Sequence, residues 1–183
     1  MKIVGLSGSL RRASFNTALL RAAAGLMPAG AELTVETLHG IPLYDGDAEA
    51  AEGIPPAVAA LKDRIAAADA LLLVSPEYNN AMPGVFKNAI DWLSRPPADA
   101  ARVFAGRKVA LIGASPGGFG TILAQNSWLP VLRTLGLDLW TGGRLMVSRA
   151  GGMFDATGVL TDAAVEKQLR DYLAGFVGFV GRG

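Results

Sequence analysis

The sequence predicts a doubly wound α/β fold, with five parallel strands in the order 2-1-3-4-5 and helices on both faces, making one domain over residues 1–183. Two observations carry that expectation. Apolar strand-like runs alternate with helical patterns along the whole chain, and no internal repeat or linker breaks the alternation. Two of the runs, ALLLVS (Ala70–Ser75) and VALIGAS (Val109–Ser115), are nearly continuous in apolar residues, as strands covered on both faces are. Right-handed crossovers then complete the sheet. In the order 2-1-3-4-5 the ligand crevice lies outside the carboxyl ends of strands 1 and 3.

The elements follow in order. Lys2–Leu6 is the first strand, and Thr17–Met27 the first helix, with Leu19, Leu20, Ala23, Leu26 and Met27 on one stripe. A short link at Pro28-Ala29-Gly30 leads to the strand Glu32–Leu38. The segment His39–Pro55 reads as an irregular connection before the helix Pro56–Ala68, which carries Val58, Leu61 and Ile65. After the third strand comes the helix Pro83–Leu93, with Pro83 suited to the first helical position. Arg95–Ala105 is a second long irregular connection, before the fourth strand Lys108–Ala114. Thr121–Leu135 is a helix that Pro130 should kink or restart. The last strand run, Leu137–Val147, should bend, bulge or split at Gly142-Gly143. Asp162–Val180 closes the chain as a helix built on Val165, Leu169, Tyr172, Leu173, Phe176 and Val180.

Composition excludes several function classes. At 183 residues, a globule buries roughly 70% of the surface its unfolded chain exposes, enough for a core of its own. Net charge is +1 with both signs interspersed, unlike the clustered basic stripe of a nucleic-acid binder or the acidity of a docking electron carrier. The absence of cysteine removes disulfides, Fe–S clusters, thiolate nucleophiles and cysteine zinc sites. With His39 as the single histidine, no multi-histidine metal site is available. The N-terminal run reads as a strand and not a signal peptide, and no stretch of about 18 apolar residues suggests a membrane span, so a cytoplasmic protein is expected.

Three polar loops should converge at one edge of the sheet: SGSLRRASFN (Ser7–Asn16), SPEYNNAMPG (Ser75–Gly84) and ASPGGFGT (Ala114–Thr121). The first ends where a helix begins, so free N–H groups and the positive end of the helix dipole point into it. Ser7, Ser9, Ser14 and Asn16 add neutral donors, and Arg11 and Arg12 add charge, a set suited to a phosphate monoester. Helix capping alone would require one such residue, not six. The loop lacks the Gly-Lys-Ser/Thr ending of a Walker A motif and is not GxGxxG. The second loop, stiffened by Pro76 and Pro83, offers backbone N–H groups with Tyr78 and Asn79, a place for a flat polar heterocycle. The glycines of the third let backbone approach a ligand closely. Taken singly, the second and third loops also read as a turn before a helix and as a mobile connection.

GSLRRASFN, SPEYNNAMPGVFKNAIDWLSR and GASPGGFGT, in that order and spacing, resemble the NADPH-dependent FMN reductase family, a flavodoxin-like group that includes bacterial quinone, chromate and azo-dye reductases. The resemblance runs from about Lys2 to Leu139 and implies a three-layer α/β/α sandwich. It assigns the FMN phosphate to Ser9, Arg11, Ser14 and Asn16, with backbone from Leu10 to Phe15. It lays the isoalloxazine ring along Pro76, Glu77, Tyr78 and Asn79, and borders it with Ser115, Pro116, Gly117 and Gly118. It also implies a homodimer, with a tetramer as the alternative. Where many members continue with Arg, Ala, Gln and Tyr-His-Leu-Arg, this chain has Leu123, Gln125 and Asn126, a departure in a segment that commonly lies near subunit contacts.

The activity implied is hydride transfer from NADPH or NADH to FMN, then reduction of a quinone or another small acceptor (azo, nitro, chromate or free flavin). The flavin supplies the chemistry, so no catalytic side chain and no metal is expected. N–H groups near Asn79 would face the flavin edge on which negative charge develops, Tyr78 and Trp128 are candidates for the acceptor face, and Arg11 or Arg12 for the 2′-phosphate of NADPH. Two other readings stand beside it. A flavodoxin-type carrier would hold FMN without a nicotinamide site, and a hydrolase would need His39 as its base.

Overall fold

The computed structural model describes residues 1–182. Its parallel strands β1 (Lys2–Ser7), β2 (Glu32–Glu36), β3 (Ala70–Val74), β4 (Lys108–Ala114) and β5 (Asp138–Leu139) stand in the order β2-β1-β3-β4-β5, as the sequence predicts. The last run splits at its glycines: β5 pairs with Lys108 and Val109, and a sixth strand, β6 (Leu145–Val147), pairs in parallel with Ile112, Gly113 and Ala114. Leu111 lies in the gap between them, and its carbonyl accepts the Tyr172 hydroxyl at 2.8 Å in place of a strand partner. Burial raises the Tyr172 phenol well above its ordinary pKa, and the bond to Leu111 only partly offsets that rise.

Strand parity builds two cores. Ile3, Leu72, Val74, Ala110 and Ile112 face the helices α1 (Phe15–Gly25) and α7 (Ala163–Val180). Val4, Leu6, Leu71, Leu73 and Val109 face α3 (Pro56–Ala66), α4 (Gly84–Leu93), α5 (Pro97–Phe104) and α6 (Ile122–Thr134). The strands of the sheet centre are covered on both sides, which is why their sequence is continuously apolar.

Three helical details differ from expectation. The connections His39–Pro55 and Arg95–Ala105 contain short helices, α2 (Gly46–Glu52) and α5. The first buries no residue and the second only Val103 and Phe104, so neither shows a long apolar stripe. Helix α6 runs unbroken through Pro130. Pro130 and Asn126, whose carbonyl loses its helical partner, are both on the exposed side, where water can serve that carbonyl. Pro83 precedes α4 as its N-cap and does not open its first turn.

Candidate functional site

The C-terminal ends of β1, β3 and β4 are in register, with Ser7 beside Val74 and Val74 beside Ile112. Their following loops therefore leave the sheet at one edge. Two close approaches set this geometry. A Cβ on Gly8 would lie 2.2 Å from the Phe86 ring, and one on Gly113 would lie 2.2 Å from the Ser75 carbonyl oxygen. A side chain at either position would force its neighbours to shift, Phe86 and Pro76 at Gly8 and the Ser75 backbone at Gly113.

Between the loops lies a cleft of about 290 Å³. The first loop contributes Ser9, Arg11, Ser14, Phe15 and Asn16, the second Pro76, Glu77 and Tyr78, and the third Ser115 and Pro116, with Ala114 beneath them. Leu10, Asn79, Gly117 and Gly118 belong to the same loops but do not line this cleft. A Cβ on Gly118 would meet nothing within 4 Å, so that glycine leaves open space beside the loop and is not required by protein packing.

Ser14 caps α1, its hydroxyl accepting from Thr17 N–H at 3.2 Å. The N–H groups of Phe15 and Asn16, one and two positions into the helix, have no partner among the described residues and sit at the positive end of the dipole. The Asn16 amide is occupied differently: it donates to the Ala114 carbonyl at 2.8 Å and accepts from the Ala114 N–H at 2.9 Å. It clamps the first loop to the end of β4. Ser9 is buried and accepts from Arg11 N–H at 3.3 Å. The Arg11 guanidinium donates to the Ala13 carbonyl at 2.6 Å and lies 6.0 Å above the Phe15 ring, which stacks on Phe154. Arg12 is exposed.

His39 has both ring nitrogens engaged. Nε2 donates to the Leu10 carbonyl at 3.2 Å, since a carbonyl only accepts, and Nδ1 bonds the Thr37 hydroxyl at 3.1 Å. Its role here is to tie the first loop to the end of β2. Trp128 is fully buried, edge-on to Phe86, and donates to the Ser75 hydroxyl at 2.9 Å. It supports the second loop from below and cannot line an acceptor face. Tyr78 is exposed at the cleft mouth.

Some contributors carry no sequence signal. Phe154 stacks on Phe15 from a distant segment, and Ser127, an ordinary serine in α6, accepts from Met82 N–H at 2.9 Å. The Arg149 N–H donates to the Gly117 carbonyl, and the Ala150 N–H to the Ser115 carbonyl, holding the third loop from outside. Only the fold brings these together. Among the described residues, no group of three or more acidic or histidine side chains is placed to hold a metal ion.

The sheet order, the helices on both faces and the cleft at the topological switch point define a flavodoxin-like α/β protein. Residues 1–152 match the model of the NADPH-dependent FMN reductase family, and the chain belongs to that family. It is 44% identical to an NAD(P)H-dependent FMN reductase of Pseudomonas aeruginosa, over 94% of this chain and 91% of that protein. It is 37% identical to a 2-hydroxy-1,4-benzoquinone reductase of a Burkholderia species, over 98% and 96% of the two chains. Among solved structures, the flavoenzyme NAD(P)H:(acceptor) oxidoreductase FerB of Paracoccus denitrificans superposes with a TM-score of 0.87 at 32% identity, covering 99% of this chain and 97% of that one. The protein is an oxidoreductase that uses FMN, with NAD(P)H as electron donor. None of these three relatives is an electron carrier of the flavodoxin type.

Proposed function

We propose that the cleft between the three loops holds FMN and that the protein passes electrons from NAD(P)H to a quinone or a similar small acceptor. The observation that carries this reading is the pair of free N–H groups of Phe15 and Asn16 at the mouth of α1, in a cleft that also receives the Ser9 and Ser14 side chains and Arg11. That donor set fits a terminal phosphate. The loop from Pro76 to Asn79 and the glycine-bearing loop from Ser115 to Gly118 supply backbone on either side of a flat ring. FMN, when bound, supplies the hydride chemistry. The residues of the chain bind and orient it: the first loop its phosphate, the second loop its polar ring edge.

Reductases of quinones among the relatives support a quinone as acceptor. An exposed ring face would also serve azo, nitro and chromate acceptors. A homodimer belongs to the same proposal, supported by the exposed apolar residues Phe119, Ile122, Leu123 and Leu129 on and before α6. So does a cytoplasmic location; no helix among the described residues is long and apolar enough to cross a membrane.

The purified protein should show flavin absorbance bands, or gain them when FMN is added. Rapid mixing with NADPH should bleach those bands, and a quinone should restore them. A protein that stays colourless with FMN, or whose bands neither nicotinamide bleaches, overturns the proposal.

A further inference from the structure

The second loop contains a turn that its own neighbourhood does not hold. Tyr78 and Ala81 exchange both backbone hydrogen bonds, at 3.0 and 3.1 Å, and Asn79 and Asn80 between them have φ of 49° and 63°. This is a two-residue turn with both central residues left-handed, the geometry usually given to Asn-Gly. Tyr78, Asn79 and Asn80 are all exposed, so packing does not fix the turn.

Both of its ends are tied to α6. Before the turn, one Glu77 carboxylate oxygen accepts from the N–H groups of Leu123 and Ala124, at 2.8 and 2.9 Å. Thr121, the residue at the N-cap position, gives no side-chain capping bond, so Glu77 caps this helix from another loop, with its charge at the positive end of the dipole. After the turn, Met82 N–H donates to the Ser127 hydroxyl at 2.9 Å, and that hydroxyl donates to the Ala124 carbonyl at 2.7 Å. The six residues from Glu77 to Met82 are thereby hung on one rigid helix at both ends.

We propose that Glu77 and Ser127 are positioning residues that fix the Tyr78–Ala81 turn for the flavin ring. This rests on the reading that the turn lines the ring. Glu77 acts through α6, as an acceptor of two N–H groups, and not as a ligand of the flavin. Ring recognition by backbone N–H groups tolerates displacements of only about half an ångström, so a turn free to move would lose it.

The test uses the apoprotein and its flavin complexes. In amide hydrogen exchange on the apoprotein, Glu77→Ala and Ser127→Ala should each speed exchange over residues 78–82 about tenfold, the loss of one or two hydrogen bonds. Exchange in the central strands should stay unchanged. The same variants should weaken FMN and riboflavin by equal factors, because the phosphate site is untouched. Glu77→Gln, whose amide oxygen still accepts two N–H groups, should stay close to wild type in both measurements. Unchanged exchange in both alanine variants overturns the inference, as does faster exchange with undiminished affinity for both flavins. A Glu77→Gln variant that exchanges like wild type yet binds both flavins as weakly as Glu77→Ala shows that charge toward the flavin, and not the tether, is what matters, and also overturns it. If wild type takes up neither flavin while exchange still responds, the flavin reading itself has failed, and this role with it.

Discussion

At the scale of single residues, Arg11 and Asn16 show how one loop divides its labour. Asn16 has both amide atoms bonded to Ala114, so its side chain anchors and only its backbone N–H is left for the proposed phosphate. The Arg11 guanidinium has one bond to its own loop and otherwise lies over an aromatic face at the cleft. Arg11→Ala should weaken FMN by the value of a charge-assisted hydrogen bond, about 1.5–3 kcal/mol, and leave riboflavin nearly unaffected. Titrating the apoprotein with each flavin decides it, and an equal loss for both would show that Arg11 does not address the phosphate.

At the scale of elements, the contact between α3 and α5 hangs on a buried cation. Lys62 is only 2% exposed, donates to the Arg95 carbonyl and pairs with Asp99 at 2.5 Å. Asp99 is also held by Arg102 at 2.6 Å. The Arg102 hydrogen bond, followed by that of Lys62, holds the Asp99 carboxyl well below the usual carboxylate range. The folded form therefore ionises more readily than the unfolded chain. The stability this contributes is complete above the ordinary carboxylate value of about 4 and is lost as pH falls through the depressed value below it. Asp99→Asn leaves Lys62 buried without its counter-charge and should cost about 1–3 kcal/mol, less than for a wholly buried pair because Asp99 is partly exposed. Urea unfolding at neutral pH should show that gap, and it should narrow in acid. A gap that widens in acid would contradict the assignment.

At the scale of the whole molecule, the cleft joins the C-terminal ends of three strands that are far apart in sequence, so a ligand there binds only the folded chain. FMN at a hundred times its dissociation constant should add about 2.7 kcal/mol to the stability. A thermal melt with and without FMN should show the shift, with riboflavin shifting the melt less at equal concentration. A melt that FMN leaves unmoved would mean that the cleft does not hold it.

The alternation of apolar runs and helical stripes predicts five β-α units, for which right-handed crossovers and the doubly wound order 2-1-3-4-5 follow, and the continuously apolar runs mark the strands covered on both faces. Pro130 misled, since a proline on the solvent side of a helix has no sequence mark separating it from one that breaks the core. The helices at Gly46–Glu52 and Pro97–Phe104 were missed because they bury too little to show a stripe. The three loops were legible as polar breaks after apolar strands, and the cleft they form gathers side chains from all three. What each residue does within it was not legible: that Asn16 serves Ala114, that Trp128 lies beneath the loop, and that Glu77 and Ser127 suspend a turn from α6. Periodicity and loop composition are local properties, and a single chain carries them. The partner of a hydrogen bond 46 or 98 residues away is set by packing, and only the folded molecule contains it.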